Sequence, residues 1–409
     1  MKIIIQKFGG TSVATAESRE AVRKKVLNAL DAGYCPVVVV SAMGRKGEPY
    51  ATDTLINLLK SENANVAKHE LDFLMSCGEN IGAAVVAANL QAVGIKAQAV
   101  TGGQAGLITD ANYGSARIIK VDTKYLVKLL EADIVPVVCG FQGVTEDHCN
   151  ITTIGRGGSD TTAAALGAAL KAEVVEIYTD VEGIMTADPR MVNAADILEC
   201  ISYGEICQLA YQGAKVIHPR AVEIAMQKSI PLMIKSTFSD APGTLITNDF
   251  GEDTSDLPIT TRIASGVTYL NNISQIRIAL DANDSESSTK IFDLLAQNNI
   301  SVDCLNVHPG EVIFTVEETD LTNAIEILKE NGFSNLTIEE SCAKISVVGA
   351  GMRNVPGVMA TFVKAFSKIN IPILQTVDSN ITISAVVSRE HLCEALTSLH
   401  EAFGLTKIN

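Results

Sequence analysis

The sequence predicts an α/β protein: a mostly parallel sheet between helical layers, followed by two ferredoxin-like βαββαβ modules. Over residues 1–248, short apolar runs alternate with helical stretches, which is the pattern of a parallel sheet covered on both faces. A polar, acidic stretch then interrupts this pattern. Beyond it the chain repeats weakly, because Ile291 aligns with Phe362 and the neighbouring positions keep the same offset of 71 residues.

The strands of the first part are short apolar runs, and amphipathic or alanine-rich stretches between them predict helices. Strands are predicted at Ile3–Gln6, Pro36–Val40, Ala97–Thr101, Ile134–Cys139, Val174–Tyr178 and Leu232–Lys235. Helices are predicted at about residues 16–32, 52–60, 66–93, 115–131, 160–171, 203–212 and 219–228. The unbroken run of four valines in the second strand suits the centre of such a sheet.

Composition also predicts the domain limits. Residues 249–266 are expected to be a linker, because they include a polar and acidic run. A first domain then covers residues 1–248, and the two modules cover residues 267–340 and 341–409. Each module runs strand, helix, two strands, helix, strand. Modules of this kind bind small ligands and pair through their sheets, although a ferredoxin-like domain without a ligand shows the same pattern.

Length and charge limit the function classes. A chain of 409 residues makes two or three domains at about 150 residues each. Hydrophobic residues form 47% of it, enough for a substantial core. The net charge of −15 argues against nucleic acid and anionic membranes as partners, because both require a basic surface. An anionic ligand would need local lysines, arginines or helix N-termini.

The expected compartment is the cytoplasm. No apolar run reaches the roughly 18 residues that span a bilayer, and the N-terminus enters a strand without a signal-peptide pattern. The nine cysteines include no CxxC pair, as is typical of reduced thiols. No Cys/His cluster has the spacing of zinc ligands, so no protein-held metal is expected.

The first candidate site is Lys7–Val13, which follows a strand and precedes a helix. Gly9 and Gly10 allow a ligand close to the backbone, whose N–H groups can bind phosphate oxygens. Lys7 lies at the carboxyl end of the strand, where its ammonium can reach a transferring phosphoryl group. The motif matches neither the P-loop nor the dinucleotide fingerprint, and a tight structural turn is an equal alternative. Ser41, before Gly44, ends the next strand in the same way and is either a site residue or a turn former.

A second candidate is the glycine-rich loop over residues 153–162, which opens an alanine-rich helix. Ser159 or Asp160 can cap this helix, whose N-terminus favours an anion. Arg156 offers a planar fork for a carboxylate. The alternative is a simple aspartate cap beside a solvent-facing arginine.

Further candidates follow in the same half of the chain. Asp180, after the strand ending near Thr179, can contact a ribose, and Arg190 can meet phosphates. Lys215 supplies another cation. His218 precedes a proline and is expected to be a packed or hydrogen-bonded histidine rather than a general base.

Together these segments resemble the aspartokinase family. The motifs that carry the resemblance are Lys7–Val13, Ser41–Gly44, Gly155–Asp160, Thr179–Gly183, Asp188–Arg190 and Gly213–Pro219. The resemblance covers nearly the whole chain and implies an amino-acid-kinase fold followed by two ACT domains. It also implies the reaction of ATP with L-aspartate to give ADP and 4-phospho-L-aspartate, an early step towards lysine, threonine, methionine and diaminopimelate.

The resemblance assigns roles to individual residues and implies ATP with Mg²⁺ carried on it. The expected catalytic residues are Lys7, Asp160 and Lys215. The ATP-binding set is Lys7, Gly9, Gly10, Ser41, Thr179, Asp180, Arg190 and Lys215. Aspartate would be bound by Thr52, Glu79, Arg156 and Ser159. The alternatives are another amino-acid kinase of the same fold, or a non-catalytic amino-acid sensor that uses its ACT pair.

The ACT pair implies feedback by an amino acid: diaminopimelate, lysine or threonine. Lysine- or threonine-sensitive members typically have Gln-Asn where this chain has Val307-His308. The first copy also lacks the usual Pro-Gly. The pattern is more similar to the diaminopimelate-sensitive aspartokinases of Gram-positive bacteria. Because ACT sheets commonly pair between chains, a homodimer or larger assembly is expected.

Overall fold

The computed structural model describes residues 1–214, 216–248, 262–282, 285–352 and 355–406. The chain divides into two compact units. Unit 1 comprises Met1–Ile184, Ile197–Ala210 and Lys215–Pro258, and unit 2 comprises Met185–Asp196, Tyr211–Ala214 and Ile259–Asn409. Two short segments that we assigned to the first domain thus group with the second unit, and most of the predicted linker lies outside the described residues. The domain limits stay predictions.

The described strands of unit 1 form two sheets. They are β1 (Ile3–Phe8), β2 (Cys35–Val40), β3 (Ala97–Val100), β4 (Leu107–Thr109), β5 (Ile118–Val121), β6 (Val135–Cys139), β7 (Gln142–Thr145), β8 (Ile151–Thr153), β9 (Val174–Thr179), β10 (Cys200–Ile201), β11 (Leu232–Ser236) and β12 (Thr244–Ile246). The large sheet has the order β10-β12-β11-β9-β1-β2-β6-β3, and the small one β5-β4-β7-β8. The six predicted strands are confirmed as β1, β2, β3, β6, β9 and β11, and adjacent members of this set run parallel.

Helices cover both faces of the large sheet. In unit 1 they are α1 (Gly10–Val13), α2 (Ala16–Asp31), α3 (Thr52–Glu62), α4 (Lys68–Gln91), α5 (Lys124–Glu131), α6 (Gly158–Leu170), α7 (Tyr203–Tyr211) and α8 (Pro219–Lys228). Phe8 and Val38 pack with α2 and α4 in one core cluster. Ile5 points to the opposite face, since side chains alternate along a strand, and lies against Gly167 of α6.

The small sheet was not predicted, and it corrects one helix. Residues 115–131 were expected to be helical throughout, but 118–121 form β5 and only 124–131 form α5. The backbone turns between them, where the Asp122 carboxylate accepts a hydrogen bond from the Lys124 N–H at 3.2 Å. An aspartate that bonds the backbone two residues on interrupts a helix, and the β-branched residues before it favour a strand.

Helix α4 is long and apolar enough to cross a membrane by length and composition alone, with a mean hydropathy of 1.3. Half of its most apolar window is buried inside the protein, and Ala83, Val86 and Leu90 belong to the core of unit 1. A buried core helix passes the same test, so this feature is weak evidence for a membrane span.

Unit 2 contains one antiparallel sheet covered by helices. Its strands are β13 (Gly266–Ala279), β14 (Asp303–His308), β15 (Glu311–Glu317), β16 (Leu336–Val348), β17 (Gln375–Asp378) and β18 (Thr382–Ser388), in the order β14-β15-β13-β16-β18-β17. Its helices are α9 (Ser285–Gln297), α10 (Leu321–Glu330), α11 (Val358–Lys368) and α12 (Leu392–Ala402). Strands β15 and β18 start 71 residues apart, as do α10 and α12, which confirms the predicted repeat.

The two copies of the repeat share their long strands. Residues 276–278 of β13 pair with residues 336–338 of β16 within the first copy. Residues 266–270 pair instead with residues 344–348, which open the second copy. The last strand of the second copy therefore comes from before the first copy, whereas the sequence pattern predicted a strand after the second helix.

Candidate active site

The candidate site of unit 1 lies at the carboxyl ends of the central parallel strands. Lys7 is the penultimate residue of β1, and its Nζ lies 2.6 Å from the Oδ1 of Asp160 in the first turn of α6. Their side chains are only 12% and 13% exposed. Low exposure strengthens the attraction between two opposite charges and fixes their geometry. The structure thus brings together two residues that are 153 positions apart.

The glycine loop after β1 packs directly on the loop after β2. Gly44 donates a backbone hydrogen bond to the Gly10 carbonyl at 3.1 Å. A Cβ on Gly10 would lie 2.6 Å from the Ala42 carbonyl oxygen, so no other residue fits there without a shift. Gly9 places its backbone near Lys7, whose Nζ is 3.7 Å from where a Cβ would stand. The loop therefore allows close approach of a ligand to the backbone beside an ammonium group.

A hydrogen bond between Ser41 and Ser159 connects the loop after β2 to the start of α6. The Ser41 hydroxyl donates to the Ser159 hydroxyl at 2.9 Å, which joins the end of β2 to the first turn of α6. Both predicted residues thus lie beside Asp160. Thr52 is the first residue of α3, and Arg156 is exposed in the loop before α6; both belong to unit 1.

Glu79 is buried, with 2% exposure, on α4. Its Oε1 accepts a hydrogen bond from the Ala42 N–H at 3.1 Å. Among the described residues, its Oε2 has no hydrogen-bond partner. Burial raises the pKa of this carboxyl from 4.5 to about 8, against the smaller lowering effect of the Ala42 hydrogen bond. A buried carboxyl with one oxygen unused is a strong acceptor for a cationic group.

The loop that carries Arg156 depends on Gly157. This residue has φ +68°, and a Cβ there would lie 2.2 Å from the His218 side chain. His218 itself accepts a hydrogen bond from the Arg220 N–H and caps α8, and burial lowers its pKa. The prediction that His218 is a hydrogen-bonded histidine is confirmed.

Replacing Gly157 with Ala should therefore disturb the loop over residues 153–162. We expect a loss of about 1–3 kcal/mol from the left-handed backbone alone, and a further loss of substrate affinity because the methyl group displaces the His218 ring. Thermal unfolding and substrate titrations measure the two effects. Gly33→Ala is the matched control: Gly33 has φ +79° with open space around it. If Gly33→Ala and Gly157→Ala lower affinity equally, the steric argument is wrong.

The strand β9 ends in a second polar cluster of unit 1. The Thr179 hydroxyl donates to Asp180 at 3.1 Å, and Asp180 forms an ion pair with Arg45 at 2.8 Å. Arg45 was not singled out from the sequence. In the sequence, the only feature that points to Arg45 is its positive charge directly after the Ser41–Gly44 motif.

The two remaining expected ATP-binding residues are Lys215 and Arg190. Lys215 lies outside the described residues. Arg190 belongs to unit 2, where its side chain is 84% exposed and binds Asp188 through Nε at 3.0 Å and Nη2 at 2.7 Å. The Asp188 carboxylate also accepts a hydrogen bond from the Tyr269 hydroxyl at 3.2 Å.

Comparison with known proteins decides the family. The amino acid kinase family model matches residues 2–236, and an ACT domain model matches residues 345–403. Aspartokinase 1 of Bacillus subtilis (strain 168) is 45% identical over 407 residues, which cover 100% of both chains. This chain belongs to the aspartokinase family. The predicted amino-acid-kinase fold with ACT domains is confirmed.

Solved structures of aspartokinases share the fold. Escherichia coli aspartokinase III in complex with aspartate and ADP (R-state) matches with a TM-score of 0.76 and 25% identity, over 98% of this chain and 99% of that chain. The same enzyme in complex with lysine and aspartate (T-state) matches with a TM-score of 0.76 and 25% identity, over 98% and 100%. The chain therefore matches these aspartokinases over nearly their full length.

Proposed function

We propose that this aspartokinase transfers the γ-phosphoryl group of ATP to the β-carboxylate of L-aspartate. A bond forms between a carboxylate oxygen and the γ-phosphorus, and the bond to the β–γ bridging oxygen breaks, which gives 4-phospho-L-aspartate and ADP. The observation that carries the proposal is the largely buried Lys7–Asp160 pair beside a glycine loop. This reaction would open the route to lysine, threonine, methionine and diaminopimelate.

The proposed mechanism needs no general base. The β-carboxylate of aspartate is ionised at pH 7, so catalysis consists of bringing two anions together and neutralising the transferring group. Lys7 supplies positive charge at the end of β1, and Lys215 is proposed to supply more. Asp160 holds the Lys7 ammonium in place rather than abstracting a proton. Mg²⁺ enters on the phosphates of ATP and supplies further positive charge.

Aspartate carries an α-carboxylate and an ammonium group besides the reacting β-carboxylate, and the proposed pocket offers a complement for each of these two groups. Arg156 binds the α-carboxylate through its planar fork, and Ser159 and Thr52 are proposed to add hydroxyl donors. Glu79 accepts the ammonium group at its unused oxygen. This complementarity favours an amino acid with a free α-carboxylate over other phosphoryl acceptors.

The nucleotide is proposed to contact two strand ends and the glycine loop. Gly9, Gly10 and Ser41 bind its phosphates, while Thr179 and Asp180 contact the nucleoside. Arg190 and Lys215 complete the set on the strength of the family resemblance.

The ACT half is proposed to bind an amino-acid effector, with diaminopimelate, lysine and threonine as the candidates. The effector must prefer one of two global states of the enzyme to change its activity. Assembly into a homodimer or a larger oligomer through the ACT domains, and a cytoplasmic location, belong to the same proposal.

A coupled ADP-release assay with ATP, Mg²⁺ and L-aspartate tests this function. We expect turnover that depends on aspartate, and inhibition by one of lysine, threonine and meso-diaminopimelate added singly. Glutamate and acetylglutamate serve as control acceptors and should give far slower turnover. Turnover with one of them instead would support a different amino-acid kinase. No turnover with any acceptor would support the amino-acid sensor.

A further inference from the structure

The Arg45–Asp180 ion pair crosses the end of β1. Arg45 follows β2, and Asp180 follows β9. In the large sheet, β2 and β9 are the two neighbours of β1. The Nη2 of Arg45 lies 2.8 Å from the Oδ2 of Asp180, so the arginine side chain spans from one neighbouring strand end to the other. The residues that follow β1 are Gly9 and Gly10, in the glycine loop that is proposed to bind the phosphates.

The backbone of Arg45 is tied to that loop. The preceding residue, Gly44, donates its N–H to the Gly10 carbonyl at 3.1 Å. The Arg45 carbonyl accepts from the Glu48 N–H at 2.9 Å, which closes a turn. The backbone of Arg45 therefore directly follows a residue that is hydrogen-bonded to the glycine loop.

The pair is suited to exchange. The side chains of Arg45 and Asp180 are 68% and 50% exposed, and exposed ion pairs contribute little to stability. A phosphate group offers the guanidinium fork two strong acceptor oxygens in one plane. Lys7, which also lies beside the loop, is compensated by Asp160. A further cation that turns towards a triphosphate would add to the positive charge that Lys7, Lys215 and Mg²⁺ are proposed to supply.

We propose that Arg45 is a further ATP-binding residue: its guanidinium leaves Asp180 and binds the phosphate chain of the nucleotide. Asp180 is released in the same step to contact the nucleoside. The inference rests on the proposed function and adds a phosphate-binding residue to it. Arg45 thereby exchanges a carboxylate of the protein for the phosphates of the substrate.

Steady-state kinetics of Arg45→Gln test the proposal. With saturating aspartate, we expect the KM for ATP to rise by about tenfold or more, because a charge-assisted hydrogen bond is lost. The KM for aspartate should stay within about twofold, since only one substrate is affected. Arg45→Lys should recover part of the affinity, because it keeps the charge but not the fork.

Lys46→Gln is the matched control, because it removes the same charge from the next exposed residue of the loop. An equal rise of the KM for ATP in this variant would mean that only long-range charge matters, and would overturn the proposal. An unchanged KM for ATP in Arg45→Gln would also overturn the proposal. A lowered KM for ATP would overturn it as well, and would show that the ion pair obstructs the site.

Direct binding separates this inference from the proposed function. Calorimetric titration with a non-hydrolysable ATP analogue and Mg²⁺ gives the Kd without turnover. If the wild-type protein binds the analogue but phosphorylates no acceptor, the proposed function fails, and the Kd of Arg45→Gln still decides the role of Arg45. A Kd within twofold of the wild-type value would contradict it.

Discussion

Replacing Lys7 with Ala should lower kcat for aspartate phosphorylation by about 100-fold to 1,000-fold, the typical cost of losing one preorganised donor to developing charge. The Nζ of Lys7 is held 2.6 Å from Asp160 at the end of β1. It can therefore meet the γ-phosphoryl oxygens without reorganising. The effect is expected in kcat more than in the KM for aspartate, because the negative charge is spread over the oxygens of the transferring group.

The control for Lys7→Ala has to separate catalysis from folding. Removing the lysine leaves Asp160 as a poorly solvated carboxylate without its partner, which by itself destabilises the fold. The double variant Lys7→Ala with Asp160→Asn avoids that charge. We expect this double variant to regain thermal stability but not activity. If either variant keeps more than about a tenth of the wild-type kcat, Lys7 is not the main cation at the phosphoryl group.

Replacing Glu79 with Gln should have opposite effects on stability and on aspartate binding. A carboxyl whose folded pKa is raised binds its proton more tightly in the folded state, so stability falls as the pH rises from 4.5 to about 8. Gln cannot ionise and escapes this loss. We expect Glu79→Gln to be more stable than the wild type at pH 8, by on the order of 1 kcal/mol or more. It should bind aspartate at least about tenfold more weakly.

A second carboxylate on α4 provides the control. Asp72 is also buried, but it accepts three hydrogen bonds: from the Thr153 N–H at 2.8 Å, the Thr153 hydroxyl at 2.7 Å and the Gly114 N–H at 3.0 Å. Asp72→Asn should lose about 1–3 kcal/mol of stability, because it replaces an acceptor by a donor. Unfolding at pH 6 and pH 8 measures both variants. Equal destabilisation by the two substitutions would show that Glu79 is structural.

The raised pKa of Glu79 also predicts proton release. At pH 7 the empty site holds Glu79 mostly protonated, and the ammonium group of aspartate requires the carboxylate. Binding should therefore release close to one proton per site at pH 7 and much less at pH 9. Calorimetry in two buffers of different ionisation enthalpy measures this number. Affinity for aspartate should rise as the pH increases through about 8.

The grouping of Lys7, Ser41 and Asp160 in the candidate site was predictable from sequence, because the carboxyl ends of parallel strands meet at the same edge of a sheet. Lys7 lies at the end of β1, Ser41 follows the adjacent β2, and Asp160 lies in the first turn of α6, so local patterns sufficed. Arg45 was missed because its role depends on where a long side chain points. Nothing in the spacing of Glu79 shows that one of its oxygens lacks a partner.

The fold was predictable where the local sequence pattern is compatible with only one type of secondary structure. The strand β5 was missed because a few β-branched residues before a true helix extend its apparent periodicity. Residues 267–270 were placed in the first module and were not predicted as a strand of the second, because strand patterns carry no information about which partner will complete the ladder. Its partner is fixed only by the register of β13 against β16.

That shared register means that the regulatory half is interleaved rather than modular. A fragment starting after Leu270 would contain both helix pairs of the repeat, yet residues 344–348 would lose their neighbour on one side. A strand edge with unpaired backbone hydrogen-bonding groups promotes association with other chains. A self-contained shorter product of the same gene would therefore have to begin upstream of Gly266, and a domain graft cut between the two copies would inherit an incomplete sheet.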